Sequence, residues 1–458
     1  MTLRIANAAG FLGDSIDAPL RLVEAARVDY LTLEYLAELT LSIMAAQRAR
    51  DPQVGFARDF VDVLGSLVLE LKAQPQLKLV TNAGGLNPQG CAAAAGRVLC
   101  EAGLGDVSIG VVNGDDLLGR IDELQAAGCE LTNFDTGAPL RSLRAPVASA
   151  NAYLGAAPIA EALAGGARIV VTGRVADASL TLGPAVHEFG WAWDDWNRLA
   201  AASVAGHVIE CGAQATGGYS TDWRKFRLAD VGYPIAELEA DGGTILTKPP
   251  GSGGAVNRRT VVEQLVYEIG DPAHYLTPDV DVDFTTVEVA ELPEDRVAIR
   301  GATGRPAPAD LKVSLTYADG FTASGMLLVY GRDCTVKARA AAELVLQRLH
   351  RSGFTLAETH VELLGAGDGV PGLTAAPADL REVVLRMAVR DPRREAVERF
   401  AKELAPLITS GPAGLAGYAQ GRPAVRPVYA YWPTLIPKHL VQPKVEIRTA
   451  SEWQNNPS

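Results

Sequence analysis

The sequence has few cysteines and no long apolar run, and these absences narrow the kinds of protein it can be. Its five cysteines are spread over 458 residues without a C-x-x-C pair, so neither a disulfide framework nor a zinc knuckle is expected. No stretch approaches the roughly 18 apolar residues that a membrane span needs, and residues 1–30 lack a signal-peptide pattern. We therefore expect a cytoplasmic protein that does not enter a membrane.

Sequence patterns for nucleotide cofactors and metals are also missing. There is no G-x-x-x-x-G-K-[ST] loop, and no G-x-G-x-x-G sequence opens the first helix, so neither ATP nor NAD is supported. The six histidines form no H-x-H, H-E-x-x-H or H-x-x-x-H pair, which argues against a dedicated zinc site. We expect no resident cofactor. Coenzyme A can still be part of a substrate, and a magnesium ion held by oxygens alone would leave little trace in the spacing.

An excess of negative charge limits the partners. Forty-two Lys and Arg against 54 Asp and Glu give a formal charge of -12, which repels phosphate backbones and anionic lipid surfaces. We expect a small-molecule substrate and no nucleic acid, and one or two arginines in a pocket can still hold a carboxylate or phosphate. The aromatic cluster from Phe189 to Trp196 is expected in core packing or in a homo-oligomer contact.

The apolar pattern predicts an α/β protein. With 48% hydrophobic residues and roughly 100–200 residues per domain, the chain can form two or three structural units. Up to residue 254, short apolar runs alternate with amphipathic segments, which is typical of a mostly parallel sheet core with helices on both faces. The predicted strands are Leu3–Ala8, Val28–Leu33, Leu77–Thr81, Val107–Val112 and Arg168–Thr172, and the predicted helices are Ala18–Ala26, Leu36–Arg50 and Pro88–Cys100.

The second half has a different pattern. Residues 255–458 are expected to form an α+β region, in which the alternating segments VDFTTVEVAEL and LKVSLTYADGFTASGMLLVYG signal hairpins at D-G and G-x turns. Helices are predicted at Val336–Leu349 and Arg393–Leu407, and a strand at Val383–Val389. The stretch Lys248–Gly254 marks the candidate boundary between domains of residues 1–254 and 255–458, although it can equally be a loop within a domain.

The loops that follow the predicted strands carry the candidate site residues, because ligands of open α/β sheets bind beyond the carboxyl ends of the strands. The loop after the first strand offers Asp14 and Ser15. The loop after the strand at Leu77 offers Asn82, with Gly84 and Gly85 allowing close backbone approach. The two loops share an echo, Asn-Ala-Ala-Gly and Asn-Ala-Gly-Gly, which is either chance or a sign that they face one crevice.

Two further loops add ionisable groups. In the loop after the strand at Arg168, Arg174 is a candidate anion clamp, and Asp177 either orients it or caps the next helix. In the fourth loop, Glu210 could act as a general acid or base if burial raises its pKa. Cys211 is either a small buried apolar residue or a thiolate nucleophile activated by His207 or a helix N-terminus.

Glycine-rich segments complete the expected binding surface. The segment after Cys211 contributes polar side chains and glycines, and the Pro250–Gly254 loop could offer backbone amides to a phosphate or thioester group. The additional substrate-binding candidates are Gln214, Thr216, Gly217, Gly218, Ser252 and Gly253.

At these same loops the sequence closely resembles the AtuA-like family, which is linked to acyclic terpene utilisation. The resemblance extends over most of the chain, and its motifs are long and specific. The segments that carry it are Gly10–Asp17, Asp29–Glu38, Thr81–Gly85, Thr172–Leu180, Glu210–Gly218, Glu268–Pro272 and Gly421–Pro423. The family pattern often has aspartate where this chain has Glu34, a longer carboxylate that can reach a different partner.

The resemblance implies degradation of branched or isoprenoid acids, but no particular reaction. The first hypothesis is therefore a lyase or hydratase that acts on an acyl-CoA or a related hydroxy acid, with Asp14 and Glu210 exchanging protons. Asn82 and Thr216 would hold the carbonyl, and Arg174 would bind a carboxylate or phosphate. The alternatives are a non-catalytic binding or assembly subunit that needs a partner protein, and a hydrolase that uses Cys211 as nucleophile.

Overall fold

The structure, a computed structural model, describes residues 2–373, 377, 379–418 and 421–455. The chain forms two compact units, one of residues 1–316 together with 431–458 and the other of residues 317–430. The stretch Lys248–Gly254, where the sequence suggested a boundary, lies inside the first unit.

The strands and helices follow the apolar pattern closely in the first half. In chain order the described strands are β1 (Thr2–Asn7), β2 (Tyr30–Leu33), β3 (Lys78–Thr81), β4 (Ser108–Asn113), β5 (Val147–Ala152), β6 (Ile169–Thr172), β7 (Ile235–Glu239), β8 (Thr244–Thr247), β9 (Tyr275–Leu276), β10 (Asp281–Asp283), β11 (Glu288–Leu292), β12 (Arg296–Arg300), β13 (Thr303–Arg305), β14 (Asp310–Tyr330), β15 (Glu358–Leu364), β16 (Glu382–Asp391), β17 (Leu415–Gly417), β18 (Arg426–Pro437) and β19 (Lys444–Thr449).

The helices lie between these strands, mostly in the first half of the chain. They are α1 (Ala18–Ala25), α2 (Glu38–Arg48), α3 (Arg58–Ala73), α4 (Pro88–Glu101), α5 (Ile121–Ala126), α6 (Ala157–Ala164), α7 (Ser179–Phe189), α8 (Trp196–Glu210), α9 (Arg258–Leu265), α10 (Cys334–Arg351), α11 (Arg394–Ala401), α12 (Leu407–Ser410) and α13 (Ala450–Asn455). None of these helices is both long and apolar enough to span a membrane.

The first unit is built on a ten-stranded mixed sheet in the order β11-β12-β8-β7-β1-β2-β3-β6-β4-β19. Its centre, β1-β2-β3-β6-β4, is parallel. The neighbours on either side, including β7 beside β1 and β19 beside β4, pair antiparallel. The expectation of a mostly parallel sheet is therefore right for the central strands only. Strands such as β2 and β6 are buried along their whole length, which is why they have no polar alternation.

Helices pack in two groups against the parallel centre. Helix α3 contacts α1 and α4, whereas α7 contacts α6 and α8. The chain runs from β3 to β4 past the position of β6 and then returns to β6. Such a reversal of strand order opens a crevice at the carboxyl ends of the strands, where ligands bind in α/β proteins.

The second unit has a β-α-β-β-α-β order. Its strands are arranged as β15-β16-β14-β17 with antiparallel neighbours, and α10 and α11 pack on β16. This is the ferredoxin-like arrangement. Buried alternate residues of β16, among them Leu385 and Met387, form its core with Val345 and Phe400 from the helices.

One predicted hairpin is wrong. The D-G pair at Asp319 and Gly320 was expected to reverse the chain, but β14 continues through it as one strand of 21 residues. Gly320 adopts a φ of +83° without forming a turn, because residues 321–330 pair with β16 along their whole length. Antiparallel pairing is confirmed elsewhere, since β11 and β12 form a hairpin.

Candidate functional site

The first and fourth loops are joined beyond the end of β1. The side-chain amide of Asn7 donates to the carbonyl of Ile209 at 2.7 Å and to that of Glu210 at 2.8 Å. Gly10 lies so close to Cys211 that a Cβ on Gly10 would come within 2.7 Å of the Cys211 carbonyl carbon. Glycine at this position therefore allows the loop after β1 to pack directly on the end of α8.

Asp14 organises the first loop. One carboxylate oxygen accepts from the backbone amide of Gly10 at 2.8 Å, and the other accepts from the amide of Ser15 at 2.7 Å and from the hydroxyl of Tyr233 at 2.6 Å. A carboxylate with three protein donors has little capacity left for a ligand. Ser15 contributes its backbone to this arrangement.

A second cluster lies at the ends of β2 and β3. The side-chain amide of Asn82 donates to Glu34, and its carbonyl oxygen accepts from the backbone amide of Tyr35 at 2.8 Å. Burial and the charge of Asp177 raise the pKa of Glu34 well above its usual value. Its other oxygen, Oε2, is buried without a hydrogen-bond partner among the described residues. The side-chain amide of Asn82 is thus held by hydrogen bonds within the protein, whereas one buried carboxylate oxygen of Glu34 has no hydrogen-bond partner among the described residues.

The glycines of this second loop serve close packing. A Cβ on Gly84 would come within 2.5 Å of the carbonyl oxygen of Thr172, so the loop after β3 packs against the end of β6. Gly85 has a φ of +52°, which strongly favours glycine. Asn87 caps α4 by accepting from the amide of Gly90.

Arg174 lies beside Glu34 in the second cluster and keeps unused donors. Its Nη1 donates to the carbonyl of Leu36 at 2.9 Å and to Asp177 at 2.6 Å, and it lies 3.9 Å from Glu34. The guanidinium stacks 4.0 Å from the ring centre of Tyr153. Nε is buried without a partner, and no described group accepts from Nη2. These two nitrogens form the edge of the guanidinium that binds carboxylates with two parallel hydrogen bonds.

Asp177 orients Arg174 and does not cap α7. Its side chain pairs with Arg174 and is 35% exposed, so it is the part of this ion pair that reaches solvent. Helix α7 has Ala178 at its N-cap and no side-chain capping bond.

Several residues that the sequence did not single out support Arg174. Asp115, which follows β4, accepts from the backbone amide of Arg174 at 2.8 Å, and burial raises the pKa of Asp115 to about 6. Glu38 accepts from Tyr153 at 2.6 Å and from Lys312 at 2.8 Å. Burial opposes the charge of Glu38, but Lys312 outweighs it and lowers the pKa of Glu38 to about 2. The position of Asp115 just after a strand was the one local signal that could have identified it.

His207 and Glu210 share one proton at the end of α8. Nε2 of His207 lies 3.0 Å from the carbonyl oxygen of Gln264, which can only accept, so this nitrogen must carry a hydrogen. Nδ1 lies 2.9 Å from Glu210. The pair therefore exists either as an imidazolium with a carboxylate or as a neutral imidazole with a carboxylic acid.

The surroundings of the pair bring the pKa of Glu210 close to neutral pH. Burial raises the pKa of Glu210 to about 7, although His207 opposes the rise. Burial disfavours the charge on His207, but the Glu210 carboxylate outweighs this effect and raises the pKa of His207. The second oxygen of Glu210, Oε2, is buried and has no partner in the described part of the chain. A carboxylate of this kind can exchange a proton with a ligand.

Cys211 is not set up as a nucleophile. Burial and the neighbouring Glu210 raise the pKa of the Cys211 thiol to about 12. The thiolate, which is the nucleophilic form, is therefore scarce at neutral pH.

The remaining candidates serve turn structure. The hydroxyl of Thr216 donates to the carbonyls of Ala213 and Gly232 at 2.9 and 2.5 Å. Gly217 and Gly218 pack against Phe226 and Ala213, and Gln214 lies in the same short turn.

The Pro250–Gly254 loop packs against the turn of Thr216, since a Cβ on Gly254 would come within 2.2 Å of the Thr216 carbonyl oxygen. The amides of Ser252, Gly253 and Gly254 donate to backbone carbonyls, so they do not form a phosphate cradle. This loop lines a separate cavity of about 270 Å³ with α1 and Tyr233.

Nearly the whole chain matches one protein family. The model of the acyclic terpene utilisation family protein AtuA matches residues 3–447, which include all four loops. The chain belongs to the AtuA family. No curated protein and no solved structure matches it. Membership of the AtuA family connects the chain with acyclic terpene utilisation, consistent with isoprenoid catabolism.

Proposed function

We propose that the protein is an enzyme of branched or isoprenoid acid catabolism that acts on an acyl-CoA or a related hydroxy acid. The reaction is a lyase or hydratase step that begins or ends with proton transfer at the carbon next to the acyl carbonyl. The observation that carries the proposal is the His207–Glu210 pair, which holds one transferable proton near neutral pH and keeps one carboxylate oxygen open.

In dehydration, the Glu210 carboxylate takes the α-proton, and the electron pair of the broken C–H bond moves toward the carbonyl oxygen. The protonated Glu210 then gives a proton to the β-hydroxyl, which leaves as water while the double bond forms, and the carboxylate is restored. The reverse sequence hydrates the double bond. His207 is 2.9 Å from Glu210, so as an imidazolium it stabilises the Glu210 carboxylate before and after the proton transfer.

The guanidinium of Arg174 is suited to bind a second group of the substrate, one that carries a negative charge. Its Nε and Nη2 have no partner among the described residues, while Asp177 and Tyr153 hold the guanidinium in place. A rigid guanidinium with one free edge favours a carboxylate, since two parallel hydrogen bonds form without reorganisation.

The proposal is tested by incubating the protein with branched 3-hydroxyacyl-CoA thioesters and following dehydration or α-proton exchange with deuterated water by NMR. Glu210→Gln should lower kcat by roughly 10²- to 10⁴-fold, the range for loss of a general acid or base. Glu161→Gln, on the exposed side of α6, is the matched control and should leave the rate unchanged. Full activity of Glu210→Gln in a folded protein would show that Glu210 is not the acid or base of the reaction.

A second candidate function is a binding or assembly subunit. Exposed aromatic side chains favour it, since Tyr219 is 87% exposed, Phe11 59% and Trp223 54%. Stoichiometric co-purification with a partner chain, together with no turnover of any thioester by the isolated protein, would support this function over the enzyme. The hydrolase alternative that relies on Cys211 is disfavoured by the raised pKa of its thiol.

A further inference from the structure

The hydroxyl of Tyr275 lies near the charged side chains of the candidate site, Glu210 and Asp177. Tyr275 lies on β9, and its side chain is partly buried. Its ring packs 5.8 Å from His207 and 5.2 Å from Phe284, so the ring is held directly beside the proton-sharing pair. No described group accepts a hydrogen bond from its hydroxyl.

Three other tyrosines of the same unit differ from it in this respect, whereas Tyr35 also has a buried hydroxyl without a partner among the described residues. The hydroxyl of Tyr30 donates to Glu188 at 2.5 Å, that of Tyr153 to Glu38 at 2.6 Å, and that of Tyr233 to Asp14 at 2.6 Å. Each of these hydroxyls has a carboxylate partner. Tyr275 is close enough to Glu210 and Asp177 for their charges to act on it, and yet it is bonded to neither.

The donors that the sequence suggested for the carbonyl oxygen are already used. The sequence had suggested Asn82 and Thr216 for that role, but the amide of Asn82 donates to Glu34. The hydroxyl of Thr216 donates to backbone carbonyls. Tyr275 offers an unused donor beside Glu210. Burial and the charge of Glu210 also raise the pKa of the Tyr275 phenol well above its usual value, so it keeps its proton and acts only as a donor.

We propose that Tyr275 is a catalytic hydrogen-bond donor, which holds the acyl carbonyl oxygen of the substrate while Glu210 removes the α-proton. This inference rests on the proposed function. In the step, the C–H bond breaks, the proton moves to the Glu210 carboxylate, and the electron pair moves onto the carbonyl oxygen. That oxygen accepts a stronger hydrogen bond from Tyr275 without taking its proton.

The test is α-proton exchange of 3-methylbutyryl-CoA in deuterated water, followed by NMR for the wild type and Tyr275→Phe. Phenylalanine keeps the ring that packs on His207 and Phe284. The variant should lose about 10²- to 10³-fold in kcat, the effect of removing one donor to a developing oxyanion, with KM nearly unchanged. Tyr330→Phe, which alters a half-exposed tyrosine of the second unit, is the matched control and should exchange at the wild-type rate.

The outcomes separate this inference from the proposed function. A wild type that exchanges the α-proton of no thioester overturns the proposed function, and with it the carbonyl as the ligand of Tyr275. A wild type that exchanges, with Tyr275→Phe equally fast, overturns the Tyr275 assignment alone. A rate that falls in Tyr275→Leu but not in Tyr275→Phe assigns the ring to packing and also overturns it.

Discussion

Two carboxylates on neighbouring loops, Asp14 and Glu210, were equal candidates in the sequence and have very different surroundings in the structure. Asp14 accepts from two backbone amides and from Tyr233. Glu210 shares a proton with His207 and has one oxygen without a partner among the described residues. A carboxylate with most of its acceptor sites used holds a loop in shape, whereas a buried one with an unpartnered oxygen is poised to exchange a proton. Hydrogen-bond saturation, and not residue type, distinguishes the two.

The largest expected effect comes from removing the proton partner of Glu210. In His207→Asn the opposing influence of His207 on the pKa of Glu210 is lost, so that pKa should rise by about 1–3 units, the usual effect of a nearby opposite charge. The pH dependence of kcat/KM should shift to higher pH by the same amount. Tyr233→Phe, which removes a donor to Asp14, should leave the profile in place. Equal shifts in both variants would remove the distinction between the two carboxylates.

Asp14→Asn should affect stability more than catalysis. An amide cannot accept from three donors as the carboxylate does, so we expect a loss of roughly 1–3 kcal/mol in the free energy of unfolding. We expect kcat to remain within about tenfold of the wild type, because no proton transfer depends on Asp14. Urea unfolding and the thioester assay check the two effects. A large fall in kcat with unchanged stability would return Asp14 to the role of acid or base.

The pH dependence of stability provides a smaller test. Because the pKa of Glu210 is raised in the folded protein to about 7 from 4.5, its protonated form favours folding. This contribution is present below about pH 4.5 and is lost as the pH rises through about 7. The difference in melting temperature between wild type and Glu210→Gln should therefore change across pH 5–8. A difference that is constant over this range would mean that Glu210 has an ordinary pKa.

The smallest effect is expected at Cys211. Its thiol is protonated at neutral pH, since its pKa is raised to about 12, and Cys211→Ser should retain most of the activity. Treatment of the wild type with iodoacetamide should leave turnover unchanged. Inactivation by alkylation that Cys211→Ser resists would support the hydrolase alternative.

The sequence predicts the frame of the site better than its chemistry. The strands that end before Asn82 and Arg174 could be located because fully buried parallel strands are short apolar runs. Glycine-rich loops mark their ends, and Glu210 was identified from its polar surroundings. Its proximity to His207 is also local, since residues three apart on a helix lie side by side.

The supporting residues could not be predicted, because they come from distant parts of the chain. Tyr153, Lys312 and Tyr275 join the site through contacts with residues more than 60 positions away in the sequence, and their own segments give no signal of it. The prediction of a turn at Asp319 and Gly320 was wrong for a similar reason. Local turn propensity favours reversal there, but pairing with β16 keeps β14 extended.

The pairing of β19 with β4 has a consequence for how the chain acquires its fold. Residues 444–449 complete the edge of a sheet whose partner strand is residues 108–113, and Trp453 donates to the carbonyl of Ile109. During synthesis, β4 therefore emerges more than 300 residues before the strand that covers it. Contacts so distant in sequence slow folding, and an uncovered edge can pair with another chain. The nascent protein accordingly depends on residues 444–449 to close that edge.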